Sequence, residues 1–220
     1  MDTSQARARI LGRIRAAQGR GGAPSEAERA AVEDHIARHA HGPQPGVGAD
    51  LVAHFEAQAQ RMQSTTERVP DRGAVPAAVA RYLDANSIDR RAACWATLAD
   101  LDWAGAGLEV EARAPRDQDL VGITGVFAAV AETGTLVLLS GPDTPTSMHL
   151  LPETHVAVVP ASRIVAHYED AFRGVRAERG QLPRAVNLVS GPSRTGDIEQ
   201  TIVVGAHGPY RVHLLIVENE

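Results

Sequence analysis

Apolar positions recur with a helical period in the first part of the chain and crowd into short, nearly unbroken runs in the second. From Asp2 to Gln18, residues Ala6, Ile10, Ile14 and Ala17 recur at helical spacing, with Asp2, Thr3 or Ser4 available as a cap. Gly19 to Pro24 is a flexible break. SEAERAAVEDHIARHA, Ser25 to Ala40, predicts a second helix that begins on its serine cap, and HGPQPGVG predicts a loop. Helices are expected from Leu51 to Gln63 and from Val75 to Ala85, the latter with Pro76 in its first turn. TTERV, AACWATL and LEVEARA read as strands. Strands alternating with helices predict an α/β fold.

The second half is denser in strands. FAAVAETGTLVLLS predicts strand, tight turn, strand, because Thr133-Gly134 sits between apolar runs. THVAVVP is a nearly continuous apolar strand of the buried kind, and RAVNLVSG reads as another buried strand. Ile164 to Arg176 reads as a helix, RTGDIEQT as the start of a short helix or turn, and RVHLLIVE as a terminal strand. The expected organisation is an N-terminal helical arm over 1–48 and an α/β domain over 49–220, with a mostly parallel central sheet flanked by helices.

Composition narrows the partners. With 44% hydrophobic and 22% charged residues, the chain has enough apolar material for a real core. A formal charge of −5 gives nucleic acid no electrostatic foothold. All 22 basic residues are Arg. The lone Cys94 excludes an internal disulfide, and an iron–sulfur cluster held by this chain alone would need more thiolates. Its apolar setting predicts a buried structural thiol. No apolar stretch approaches membrane-spanning length, and the N-terminus lacks the apolar core of a secretion signal, so a cytoplasmic location is expected. The basic first helix is read as an arm that packs on the body or on a second copy, so a homo-oligomer is open.

Three constellations carry candidate chemistry. Glu132 is the only acid in GITGVFAAVAETGT, and a carboxylate between two buried strands is either desolvated or held by a partner; both suit a base or nucleophile. In SGPSRTGDIEQ a strand ends at a Gly-Pro corner, where Ser193 or Thr195 and backbone N–H groups would favour an anion and Arg194 could grip it. Asp197 and Glu199 would compete for that role. His207 stands in a Gly-flanked turn where an imidazole could meet a ligand. His35, His39 and His41 lack the Glu of the zinc-protease signature, so no metal site is expected. With no Lys, no Walker pattern and no G-x-S-x-G elbow, neither P-loop nor serine-hydrolase chemistry is supported.

GITGVFAAVAETGTLVL, LLPETHVAVVPASRIV and LPRAVNLVSGPSRTGDIEQTIVVGAHGP together resemble the lactate-utilisation protein C family, also called the LUD domain. The resemblance implies a fold similar to ribose-phosphate isomerases, CoA transferases and 5-formyltetrahydrofolate cyclo-ligases. It also implies a role in bacterial oxidation of L-lactate to pyruvate, beside an iron–sulfur subunit and a cysteine-rich subunit that would carry any clusters. The Glu132 turn is similar to the Glu-bearing turn of CoA transferases. The expected ligand is a small carboxylate or an anionic cofactor whose identity is open. Glu132 and His207 are the candidate acid/base groups. Thr124, Thr133, Gly134, Thr135, Arg163, Gly191, Ser193, Arg194, Thr195 and Asp197 are the candidate ligand contacts. Two other readings stand beside this one: a non-catalytic assembly or regulatory subunit, and a stand-alone enzyme acting on a folate or CoA ester.

Overall fold

The computed structural model describes the chain apart from residues 1–2, 20–22 and 199–200. The expected Asp2 cap and Glu199 therefore lie outside the described residues. The chain divides into two units, Met1–Pro43 and Gln44–Glu220. The first holds helices α1, Ser4–Ala17, and α2, Glu26–Arg38. A capping box opens α2: Ser25 Oγ accepts from the Glu28 N–H at 3.2 Å, and Glu28 Oε2 accepts from the Ser25 N–H at 2.8 Å. Neither helix buries a residue, and Ile10, Ile14, Val32 and Ile36 are exposed.

The second unit is built on a six-stranded sheet in the order β1-β12-β7-β4-β2-β3, parallel at every pairing. Its strands are β1, Thr65–Val69; β2, Arg91–Cys94; β3, Glu109–Ala112; β4, Val121–Thr124; β7, Thr154–Pro160; and β12, Arg211–Val217. A second sheet, in the order β8-β5-β6-β9, comprises β5, Ala128–Val130; β6, Thr135–Leu139; β8, Ile164–Val165; and β9, Val186–Val189. Helices α3, Leu51–Arg61, α4, Val75–Ala85, and α5, Tyr168–Arg179, flank the sheets.

Strand alternation sorts the apolar residues into layers. On one face of the large sheet, Val121, Ile123, Val156, Val158, Leu215 and Val217 pack with α4 and Trp103. On the other, Ala157, Val159, Leu214 and Ile216 meet α3 through Phe55 and Ala59, and meet the small sheet through Ala129, Leu136 and Leu138. The far face of the small sheet, Ala128, Val130, Val137 and Leu139, packs on Ala171 and Val175 of α5. The inner strands β4, β7 and β12 of the large sheet and β5 and β6 of the small one are thus covered on both faces, which is why they read as unbroken apolar runs rather than alternating ones. Cys94 is buried, and desolvation pushes its thiol up to about 11, leaving it a protonated packing group.

Four expected elements come out differently. AACWATL is a strand only as far as Cys94, and Ala96–Leu98 forms a 3-10 turn. The helix expected from Ile164 is first a strand: Ile164–Val165 extends the β5 ladder, and α5 starts only at Tyr168. The two β-branched residues find a ready sheet edge there. The described part of RTGDIEQT is not a helical turn. Arg194–Ile198 forms β10 and pairs antiparallel with β11, Thr201–Val204, in a separate two-stranded ribbon. RAVNLVSG is a strand, but β9 lies at a sheet edge, paired only with β6 among the described strands, and Leu188 is 47% exposed.

Candidate functional site

The β5–β6 turn carries a polar constellation. β5 runs out of the apolar layer at Ala131, and Gly134, at φ +67°, closes the turn with its N–H on the Val130 carbonyl at 3.0 Å. Glu132 projects from this turn, and its Oε2 lies 2.9 Å from His167 Nδ1. His167 precedes the first residue of α5, and its backbone N–H donates to Asp170 Oδ2 at 3.1 Å, which fixes the start of that helix. Both side chains are mostly covered, His167 at 13% and Glu132 at 24% exposure, so the pair is shielded yet reachable. In the tautomer whose Nδ1–H donates to the carboxylate, the imidazole is oriented and Nε2 is the ring nitrogen open to a ligand.

The residues that follow Glu132 and His167 in sequence, Thr133 and Tyr168, belong to a network of hydroxyls. Thr133 Oγ1 lies 2.7 Å from Thr135 Oγ1 and 2.9 Å from the Tyr168 hydroxyl. Tyr168 also donates to Thr135 at 2.9 Å, and Thr135 lies 2.6 Å from Ser190 Oγ at the end of β9. His167, Tyr168 at the start of α5, the β5–β6 turn and the end of β9 are therefore linked by hydrogen bonds.

The C-terminal end of α3 supports this turn. A Cβ on Gly134 would stand 2.3 Å from the Ala59 nitrogen, and one on Gly191, at φ +78°, would stand 2.0 Å from the Met62 carbonyl oxygen. Both glycines are accounted for by backbone approach. Arg194 donates to that same Met62 carbonyl at 2.7 Å, a bond that satisfies one of the orphan carbonyls at a helix end.

The remaining sequence candidates spread out. Thr124 is fully buried in β4 and bonds His155 Nε2 at 2.8 Å. Ser193 is tied into the following segment, its N–H on the Pro209 carbonyl and its own carbonyl accepting from Gly205 N–H, both at 2.8 Å. Thr195 pairs with Val203 in the ribbon, and Asp197 lies on the same strand. His207 is exposed. Arg163 is at the opposite end of the small sheet from Glu132. It precedes Ile164, whose partner is Ala129, whereas Glu132 follows Val130, whose partners are Thr135 and Val165. The structure thus gathers Glu132, Thr133, Gly134 and Thr135, sets Gly191 and Arg194 against the same helix end, and separates Arg163 from them.

His167, Tyr168 and Ser190 belong to the constellation and were not singled out from the sequence. The signal for His167 was its place three residues before Asp170, an acid positioned to cap a helix start. Among the described residues, no group of three or more His, Cys, Asp and Glu side chains could hold a metal, and no helix is long and apolar enough to cross a membrane.

The LUD domain family model matches residues 52–217. The chain belongs to the LUD domain family. Similar proteins include "Lactate utilization protein C" of Shouchella clausii, 39% identical over 102 residues covering 46% of this chain and 44% of the relative. The protein of the same name from Bacillus subtilis is 40% identical over 106 residues, 47% of this chain and 44% of the relative. That of Exiguobacterium sp. is 35% identical over 145 residues, 64% of this chain and 62% of the relative. The chain thus spans about half the length of the curated relatives it matches. The crystal structure of a DUF162 family protein from Deinococcus radiodurans shares the fold, at 24% identity and a TM-score of 0.57, covering 79% of this chain and 100% of that one. Within the LUD region, the Glu132 turn and the Ser190–Gly191 corner are the two segments that meet at the end of α3.

Proposed function

We propose that this chain works in lactate utilisation, as a subunit that binds a small carboxylate and handles its proton. The observation that carries the reading is the shielded Glu132–His167 pair, next in sequence to the bonded hydroxyls of Thr133 and Tyr168, inside the LUD region. The names of its relatives supply the pathway. In this reading L-lactate gives its hydroxyl proton to His167 Nε2 while two electrons and the C–H proton leave for an acceptor, forming pyruvate. Glu132 holds the ring in the accepting tautomer and stabilises the imidazolium that results. Thr133, Tyr168 and Ser190 hydrogen-bond the ligand, and the electrons pass to iron–sulfur and cysteine-rich partner subunits in the cytoplasm.

Complementation tests this. In a bacterium lacking its own lactate utilization protein C, the wild-type chain restores growth on L-lactate. Glu132→Gln and His167→Asn each lower lactate oxidation about 100-fold or more, the usual scale of lost acid–base catalysis. A folded Glu132→Gln variant with full lactate oxidation removes the catalytic reading and leaves an assembly role. Loss with His207→Asn, alongside an active His167→Asn, moves the proton-carrying role to His207.

A further inference from the structure

The end of the small sheet away from Glu132 opens on a cleft of about 490 Å³. Its position follows from the topology. β2 and β4 are parallel neighbours, but the chain leaves β2 for β3 on one side and leaves β4 towards β7 on the other. The segments after their carboxyl ends diverge, and in open parallel sheets that divergence makes a ligand crevice. Trp95, directly after β2, and Gly125, directly after β4, both line it. A Cβ at Gly125 would meet no atom within 4 Å, so the crevice has open space at the backbone there.

The lining has two chemistries. Phe127, Leu139 and Trp95 are apolar and belong to, or pack against, the core layers. The charged residues of the wall are Arg163, Arg179 and Glu178, a surplus of one positive charge. The Arg163 guanidinium lies 5.6 Å from the Phe127 ring centroid, so a planar cation and an aromatic ring already share this wall. Arg163 also bonds Glu178 at 2.6 Å, but both side chains are about half exposed, at 44% and 46%. Ion pairs in that setting hold weakly, so an arriving anion can draw the arginine away. A planar guanidinium stacks on a heteroaromatic ring and forks onto phosphate, which a simple aliphatic acid would leave half used.

We propose that this cleft binds a mononucleotide-type ligand, with a flat heteroaromatic ring against Phe127 and Leu139 and a phosphate held by Arg163 and Arg179. The volume falls in the range of about 300–1,000 Å³ usual for small-molecule sites. The site is separate from the Glu132–His167 pair and does not depend on the lactate reading.

The test is calorimetric titration of the purified full chain with AMP, FMN and inorganic phosphate. At least one nucleotide is expected to bind with a Kd below about 100 μM and at least about tenfold more tightly than phosphate. Arg163 and Arg179 are exposed, so the double variant Arg163→Ala/Arg179→Ala should fold normally. It should weaken binding about tenfold or more, the effect of losing charge-assisted bonds. Phe127→Leu should weaken the nucleotide but not phosphate. Arg81→Ala, a surface arginine on α4 paired with Glu67, serves as the control and should bind as wild type. No nucleotide binding at 1 mM, phosphate binding as tight as nucleotide, or a double arginine variant that binds normally would each overturn the proposal.

Discussion

Gly134→Ala is expected to lower the unfolding free energy by about 3 kcal/mol or more. Two costs combine. The residue sits at φ +67°, a left-handed conformation that costs an L-residue about 1–2 kcal/mol. The new methyl would also lie 2.3 Å from the Ala59 nitrogen and 2.6 Å from the Gln58 carbonyl carbon. Those are backbone atoms of α3 and cannot swing aside as a side chain would. Forced overpacking of this kind adds about 1–3 kcal/mol. Gly48→Ala separates the two costs, because Gly48 has nearly the same φ, +72°, with no atom within 4 Å of a Cβ. It should cost only about 1–2 kcal/mol in urea unfolding. Equal losses for the two variants would mean that α3 does not press on the turn. Because Glu132 stands two residues from Gly134, the substitution should also impair any activity that depends on the Glu132–His167 pair, whereas Gly48→Ala should not.

Stability is expected to fall steeply as pH drops from about 6.5 towards 5. His149, His155 and His213 are buried, and desolvation depresses them from the ordinary 6.5 to about 4, about 3 and about 4. His155 is lowered further by neighbouring His149, whose ring centroid is 5.9 Å away. His213 stacks on Tyr82 at 4.0 Å and bonds the Thr65 hydroxyl at 2.8 Å through Nδ1. All three fold as neutral rings. Above the unfolded pKa the two states hold the same protons, and the stabilisation is complete. Below it, the unfolded chain takes up protons that the folded chain refuses, until pH falls through the folded values. Each histidine then costs about 1.4 kcal/mol per pH unit, so the three together remove about 6 kcal/mol by pH 5. That is comparable to the whole stability of a typical domain. The window lies above the ordinary carboxylate range, so it isolates the histidines. Urea midpoints measured between pH 7.5 and 5 would show it. His213→Asn keeps a neutral polar group and should flatten the slope by about a third, whatever it does to stability at pH 7.5. An unchanged slope would remove His213 from the account.

Much of the large sheet was legible in the chain. THVAVVP and RVHLLIVE became β7 and β12, central strands covered on both faces, because a doubly buried strand needs no polar alternation. The Val75–Ala85 helix appears with the predicted ends, since Pro76 favours a helix start. The misread segments are those whose local pattern fits two structures. Ile164 and Val165 fit a helix by spacing and a strand by branching, and the free edge of β5 decided for strand. RTGDIEQT carries caps suited to a helix, but pairing with Thr201–Val204 offered its backbone a ladder instead.

The candidate site was half legible. Glu132 was marked by being the lone acid of an apolar run, and the structure gives it a partner from 35 residues away. That partner, His167, lay hidden inside an expected helix, and no short-range pattern links it to the turn. Gly134 and Gly191 stood out as turn glycines, but what they approach is the end of α3, which no local reading supplies.

Apolar patterning and turn chemistry by themselves determined an α/β unit with unbroken buried strands, a β5–β6 hairpin with a carboxylate at its tip, and a single inert thiol. Those features depend on neighbours within a few residues, where spacing alone dictates which face is apolar and which backbone can turn. Only the tertiary structure decided that Glu132 meets His167, that α3 holds the turn, and that Arg163 stands at the opposite end of the small sheet beside a separate cleft. Those outcomes depend on which strands become neighbours, and strand order is set by the packing of whole layers rather than by the residues of any one segment.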